Sequence, residues 1–298
     1  MPDRDDDKPD LGALLRLALG DLGRPKKGAP DPDDDDFLSP GRLAAGVWDR
    51  LTMLERERVE AVFLVEELRP LDAEARLERI EQDERFRTWG VVESLLAESR
   101  EEAEVEPEAA LSLARLAFAT AERLTPKTYG ASCVEDLCAR CLGVIGLSLC
   151  RRGDLAGAEE ALETAWDHLG EGTGDVLEKA QLLDLEATVR TGQRRFSEAL
   201  AAIDRSIRGF RAAHDQHFAG LAMLRRASIL RAADRRPEAV ALAREALSMI
   251  ETERVPREVL EARRELICDL RTLGRAEEAE AEAARHPAVP ARRPEALL

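Results

Sequence analysis

Residues 142–169 read LGVIGLSLCRRGDLAGAEEALETAWDHL, and weaker copies of this stretch recur on both sides of it. Upstream stands VEPEAALSLARLAFATAERL (105–124). Downstream stand RRFSEALAAIDRSI (194–207), RRPEAVALAREAL (235–247) and LGRAEEAEAEA (273–283). With Ala110, Ala158, Ala199, Ala239 and Ala279 taken as equivalent, the spacings are 48, 41, 40 and 40 residues. Such regularity marks a repeat architecture, in which each unit stacks on the next because it cannot bury its apolar face alone. The composition agrees. Ala, Leu, Glu and Arg dominate, and these lose little side-chain freedom in a helix. β-branched and aromatic residues are scarce, which argues against a large sheet. The expected class is all-α.

The stretch 142–169 resembles the tetratricopeptide repeat, whose unit pairs two antiparallel helices with small residues at their crossing and a short Gly-Asp-aromatic turn. On that resemblance Gly146 takes the small position of the first helix, Gly153-Asp154-Leu155 the turn, and Ala158 and Ala165 the small positions of the second. The other copies supply Ala110 and Ala117, Phe196 at a turn with Ala199, Ala239 and Ala246, and Gly274 with Ala279 and Ala283. The chain departs from the family in two ways. Leu142 and Leu149 stand at the aromatic positions of the first helix. Its unit is also longer than the usual length of about 34 residues, as in the stretched repeats of peptide-sensing regulators and some scaffold proteins. The resemblance covers about residues 87–285. It implies a right-handed superhelical α-solenoid of about five antiparallel helix pairs, with a concave and a convex side. The short polar stretch AEEAEAEAAR (276–285) suits the end of a solenoid, where stacking stops.

Outside the repeats, residues 1–41 form an acidic leader. Its Asp, Pro and Gly content predicts disorder over 1–10 and 24–36. Within it LGALLRLALGDL (11–22) has the pattern of a short amphipathic helix, with Leu11, Leu14, Leu15, Leu17, Leu19 and Leu22. Residues 42–86 read as two helices. The first runs from about Gly41 to Leu68, with Leu43, Val47, Leu51, Leu54, Val62 and Leu68 at near-helical spacing, and Pro70 ends it. The second runs from about Asp72 to Gln82, with Asp72 as N-cap. The tail 286–298, with Pro287, Pro290 and Pro294, is expected to be flexible.

The formal net charge of -16 disfavours binding to phosphate backbones, though it does not exclude a local basic groove. No run of about 18 apolar residues is present, so no membrane span is expected. The polar start MPDRDDDKPD lacks the pattern of a signal peptide. Five cysteines, four of them between Cys133 and Cys150, do not suggest a disulfide framework, and a cytoplasmic location is the simplest expectation. Cys138-Ala-Arg-Cys141 lacks the second ligand pair a zinc site needs, and one helix cannot wrap a tetrahedral ion. These thiols are read as structural. His214-Asp-Gln-His217 is read as a polar turn. No phosphate loop, GxSxG elbow, HExxH or kinase pattern occurs. The expectation is therefore no enzyme, no metal and no cofactor.

What remains is binding. The family presents the first helix of each pair on the concave side. On that resemblance Arg140, Arg151, Arg231, Arg264 and Arg271 face the groove, together with Asp184, Thr188 and Arg190. Arg forks match carboxylates, so the expected partner is a protein or peptide with an acidic segment. The competing reading of these arginines is pairing with Glu of neighbouring helices. A second functional reading is the sensor half of a bacterial transcription regulator whose helix-turn-helix is degenerate or lost. Pro25–Asp36 leaves no legible recognition helix there, and a gel shift at low salt discriminates the two.

Overall fold

A computed structural model describes residues 40–103, 105–252 and 255–285. The sequence expectations for the leader, including Leu11–Leu22, and for the tail lie outside the described residues. Those residues contain no strand. Their α-helices are α1 (Pro40–Leu68), α2 (Ala73–Gln82), α3 (Trp89–Glu102), α4 (Pro107–Ala121), α5 (Pro126–Tyr129), α6 (Ala131–Arg151), α7 (Leu155–Glu171), α8 (Val176–Gly192), α9 (Phe196–Ala212), α10 (Gln216–Ala232), α11 (Arg236–Leu247), α12 (Pro256–Thr272) and α13 (Ala276–Arg285). The chain divides into two compact units between Leu185 and Glu186, within α8.

In the unit before the division, α1 buries Leu51, Leu54, Ala61, Leu64, Val65 and Leu68. Val62, expected on this face from its spacing, points to solvent instead, because the buried arc is filled by its neighbours Ala61, Leu64 and Val65. The helix stops at Leu68, two residues before Pro70. Arg76 then donates to the orphaned carbonyls of Leu68 (3.0 Å) and Arg69 (2.9 Å), and Asp72 caps α2 by accepting from Ala75 N–H at 2.9 Å. α1 packs on α3, and there the backbones nearly touch: a Cβ on Gly90 would lie 2.5 Å from the Glu57 carbonyl oxygen. Beside this crossing the buried Glu57 carboxylate accepts from Tyr129 OH at 2.8 Å. Burial raises the carboxyl pKa of Glu57, against the pull of the Tyr129 and backbone hydrogen bonds.

The small residues do what helix crossings require. α3 packs on α4 with the Ser99 hydroxyl donating to the Ala110 carbonyl at 2.8 Å. α6 packs on α7 with Gly146 against the Ala158 carbonyl, where a Cβ would sit 3.3 Å away. In the other unit α10 packs on α11 and α12 on α13. Ala110, Ala158, Ala199, Ala239 and Ala279, the alanines that set the repeat register, each have 0% exposure. A larger side chain at any of them would force backbones apart.

Turns in the second unit follow a 20-residue rhythm finer than the repeat. Arg194, His214, Asp234 and Gly274 adopt left-handed backbone, with φ of 61°, 60°, 60° and 73°. At each, the next N–H reaches back five residues: Arg195 to Arg190, Asp215 to Phe210, Arg235 to Leu230 and Arg275 to Leu270, all within 2.8–2.9 Å. This is the Schellman closure of a helix C-terminus. The turn within a pair and the turn between pairs therefore share one geometry.

Left-handed backbone favours glycine, and arginine pays a steric cost there. Arg194→Gly is expected to stabilise the protein by about 0.5 to 1 kcal/mol, read as a higher urea midpoint. Asp234→Gly should gain less, because Asp tolerates this conformation. An Arg194→Gly variant less stable than the parent would contradict the turn geometry.

Candidate partner-binding surface

In the first unit, consecutive first helices are joined by arginine forks. Arg58 on α1 grips Glu93 on α3, with Nε–Oε2 at 2.7 Å and Nη2–Oε1 at 3.1 Å. Arg140 on α6 grips Glu178 on α8 through Nε at 3.3 Å and through Nη2. Burial pushes the Glu93 carboxyl up, but the Arg58 fork and the nearby Arg140 outweigh it and hold the group below the usual carboxylate range. Burial alone would lower Arg140; Glu178 and Glu93 reverse this and keep it firmly charged.

Beside the Arg140–Glu178 pair opens a cleft between α6 and α8. It has room for about one water molecule, and Ala139, Leu169, Gln181, Leu182 and Leu185 line it. Asp136 lines it as well. It is buried and accepts from the Thr173 N–H (3.1 Å) and the Thr173 hydroxyl.

Arg100, on the same face of α3 as Glu93 two turns earlier, completes the set. Its side chain reaches solvent, yet so much protein surrounds it that desolvation, and then the charge of Arg140, lowers its pKa. Among the described residues it has no ion pair and no hydrogen bond. Glu93 and Glu178 are already taken. Arg58, Arg100 and Arg140 thus stand among Glu93, Glu178 and Asp136, and of the three cations Arg100 alone is gripped by no carboxylate among the described residues.

Asp136 makes stability pH-dependent. Burial raises its carboxyl to about 6 from the ordinary 3.8; the Thr173 hydrogen bonds oppose this, Glu178 adds to it and Arg140 opposes it. Between those values the folded state holds a proton that the unfolded state has lost, so stability falls as pH rises through about 6. Glu57 acts in the same sense. Urea midpoints should rise from pH 7 to pH 5, and the rise should shrink in Asp136→Asn. Equal slopes in the two proteins would contradict the assignment.

In the second unit Arg231 on α10 donates to Asp269 Oδ2 and Glu265 Oε2 on α12, both at 2.8 Å. The second helices are tied similarly, Arg211 to Glu245 at 3.6 Å and Arg244 to Glu278 at 2.8 Å. Of the residues expected at the groove, Arg140 and Arg231 are thus engaged with carboxylates of their own chain. Arg190 is half-buried against Glu186 and Gln193. Asp184 and Thr188 are half-buried and Arg151 is exposed. Arg264 is half-buried, Arg271 is exposed, and among the described residues neither has an acidic partner. The structure brings Arg140 together with Glu178, Glu93 and Arg58, none of which the sequence singled out.

The cysteines and histidines of the remaining motifs are placed as follows. Cys133, Cys138 and Cys141 are buried. Burial pushes the Cys138 thiol to about 12 and Cys141 higher still. The reading of His214–His217 as an exposed polar turn holds only for its start: His214 sits in the turn, whereas His217 is buried in α10 and its Nδ1 accepts from Glu251 N–H at 3.1 Å. Among the described residues no cluster of three His, Cys, Asp or Glu side chains is arranged to hold a metal ion. None of the described helices is long and apolar enough to cross a membrane.

No protein-family model matches the chain, and no curated protein matches it. Among solved structures, BtubC (BKLC) from P. vanneervenii is similar, with a TM-score of 0.53 and 18% identity over 82% of this chain and 97% of that one. At that identity the likeness is one of fold.

Proposed function

We propose that this protein is a non-catalytic scaffold of the tetratricopeptide type that binds a protein or peptide segment on its first helices. The observation that carries the reading is Arg100, a cation surrounded by protein near Arg140 and Glu178 that no carboxylate among the described residues grips. A segment that fits it has an acidic group near Arg100 and an apolar side chain that rests against half-buried Leu185. Such a surface binds by shape and charge together, burying an anchor while the rim charge steers approach.

A peptide array of acidic-apolar sequences and their scrambled or basic counterparts tests this, followed by calorimetry on the best binder. Affinity should fall as salt rises, since screening acts over about 8 Å at physiological ionic strength. Arg100→Glu and Leu185→Glu should weaken binding at least tenfold, while Arg205→Glu on α9, which does not line the cleft, should change it little. Binding indifferent to Arg100 and Leu185 would move the site elsewhere.

A further inference from the structure

α1 carries apolar residues on two sides. One side is spent on the core. On the other, Trp48, Val59, Val62 and Phe63 stand 59–69% exposed. At about 3.6 residues per turn they fall on one side of the helix over roughly 22 Å, with Val59, Val62 and Phe63 together and Trp48 in line beyond the exposed Thr52 and Glu55. Single exposed apolar residues are ordinary, but the cluster of Val59, Val62 and Phe63 with a tryptophan in line marks a surface that something covers.

We propose that the cover is residues 11–22 of the same chain, LGALLRLALGDL, docked as an amphipathic helix along the stripe. In a helix, Leu11, Leu14, Leu15, Ala18 and Leu22 share one face. That face is about 17 Å long, close to the stripe it would cover. The intervening residues 23–39 (GRPKKGAPDPDDDDFLS) lead directly to the start of α1 at Pro40. Seventeen residues can span up to about 55 Å, more than twice the stripe, so the segment can fold back over its whole length. A tether of this length also holds the segment at a local concentration in the millimolar range, which favours it over a separate copy of the chain. The stripe faces away from the core on a helix other than those that frame the cleft, so this docking does not depend on the cleft's role.

Trp48 reports the docking directly. Acrylamide quenching of the full chain, with Trp48→Phe giving the contribution of Trp89 and Trp166, measures its accessibility. Trp48 should be severalfold better shielded in the parent than in Leu14→Asp/Leu15→Asp, and the shielding should not change on dilution. The two substitutions lie ahead of α1, so an unchanged thermal midpoint of the core helices accompanies the result. Equal quenching in parent and variant overturns the proposal. Shielding that disappears on dilution, together with a fall in mass from dimer to monomer, also overturns it, because a second copy then covers the stripe. Hydrogen exchange supplies an independent reading: amides of 14–22 should be protected in the parent and released in Phe63→Asp. Absence of protection in the parent overturns the proposal as well.

Discussion

Gly90→Ala is expected to destabilise the protein by roughly 2 to 3 kcal/mol, although the substitution adds a single methyl group within a helix. Intrinsic preference runs the other way, since alanine is favoured over glycine inside helices by roughly 0.5 to 1 kcal/mol. Sterics decide the outcome. The added Cβ would lie 2.5 Å from the Glu57 carbonyl oxygen, 2.6 Å from its carbon and 2.9 Å from Arg58 N, all backbone atoms. No rotamer change can relieve such a contact, so α1 and α3 must separate. Separation also lengthens the bond from Gly90 N–H to Glu57 Oε2, already 3.4 Å, and loosens the buried carboxylate from Tyr129. Gly170→Ala is the matched control. Gly170 lies in α7 with nothing within 4 Å of its added Cβ, and there the helix preference should appear as a small gain. Thermal and urea unfolding of the two variants give the comparison. A Gly90→Ala protein as stable as the parent would mean that the helices do not cross here.

The second large effect is expected at the Arg140–Glu178 fork. Arg140→Met should cost about 3 kcal/mol, toward the lower end for a buried pair because both side chains keep 17–19% of their surface exposed. The loss comes mainly from what is left behind. Glu178 would sit beside Asp136 with no cation gripping it, and Glu93 would lose part of its compensation. Adding Glu178→Met should recover most of the stability, since two apolar side chains of similar volume replace a desolvated pair. If the double variant is no more stable than the single, Glu178 is not the partner that matters.

Much of this architecture was legible in the chain itself, for a physical reason. Helix crossings tolerate only small side chains, so alanines recur at 158, 199, 239 and 279 where two helices must approach, and the period shows even where many surrounding residues differ. Asp72 and Pro70 were legible because capping and the missing N–H act locally. The charged site was not, because its pairs are distant in sequence. Arg58–Glu93, Arg140–Glu178 and Arg231–Asp269 are separated by 35, 38 and 38 residues. Opposite charges about one repeat apart were the available signal, and a local window misses them. Arg100 had no signal at all. Nothing in its neighbourhood in the sequence distinguishes an arginine left over from one that is gripped; that depends on which carboxylates its neighbours have already taken. Val62 shows the limit of periodicity, since a spacing compatible with a buried face is also compatible with its edge.

The shared turn geometry of the second unit has a consequence for how such a chain changes length over evolutionary time. Arg194 and Asp234 occupy the same left-handed position one period apart, and each is followed by an arginine, Arg195 or Arg235, that closes the same bond. Excision of residues 195–234 would join Arg194 to Arg235 and recreate the turn it removed, with the following helix entering on its native bond pattern. Duplication of the same block would do the reverse. Because stacked units interact mainly with their neighbours, recombination between such equivalent junctions can add or remove whole periods without inventing a new loop. Recombination between non-equivalent positions would break a helix or misplace a turn. The turns are thus the seams along which this lineage can shorten or extend its protein.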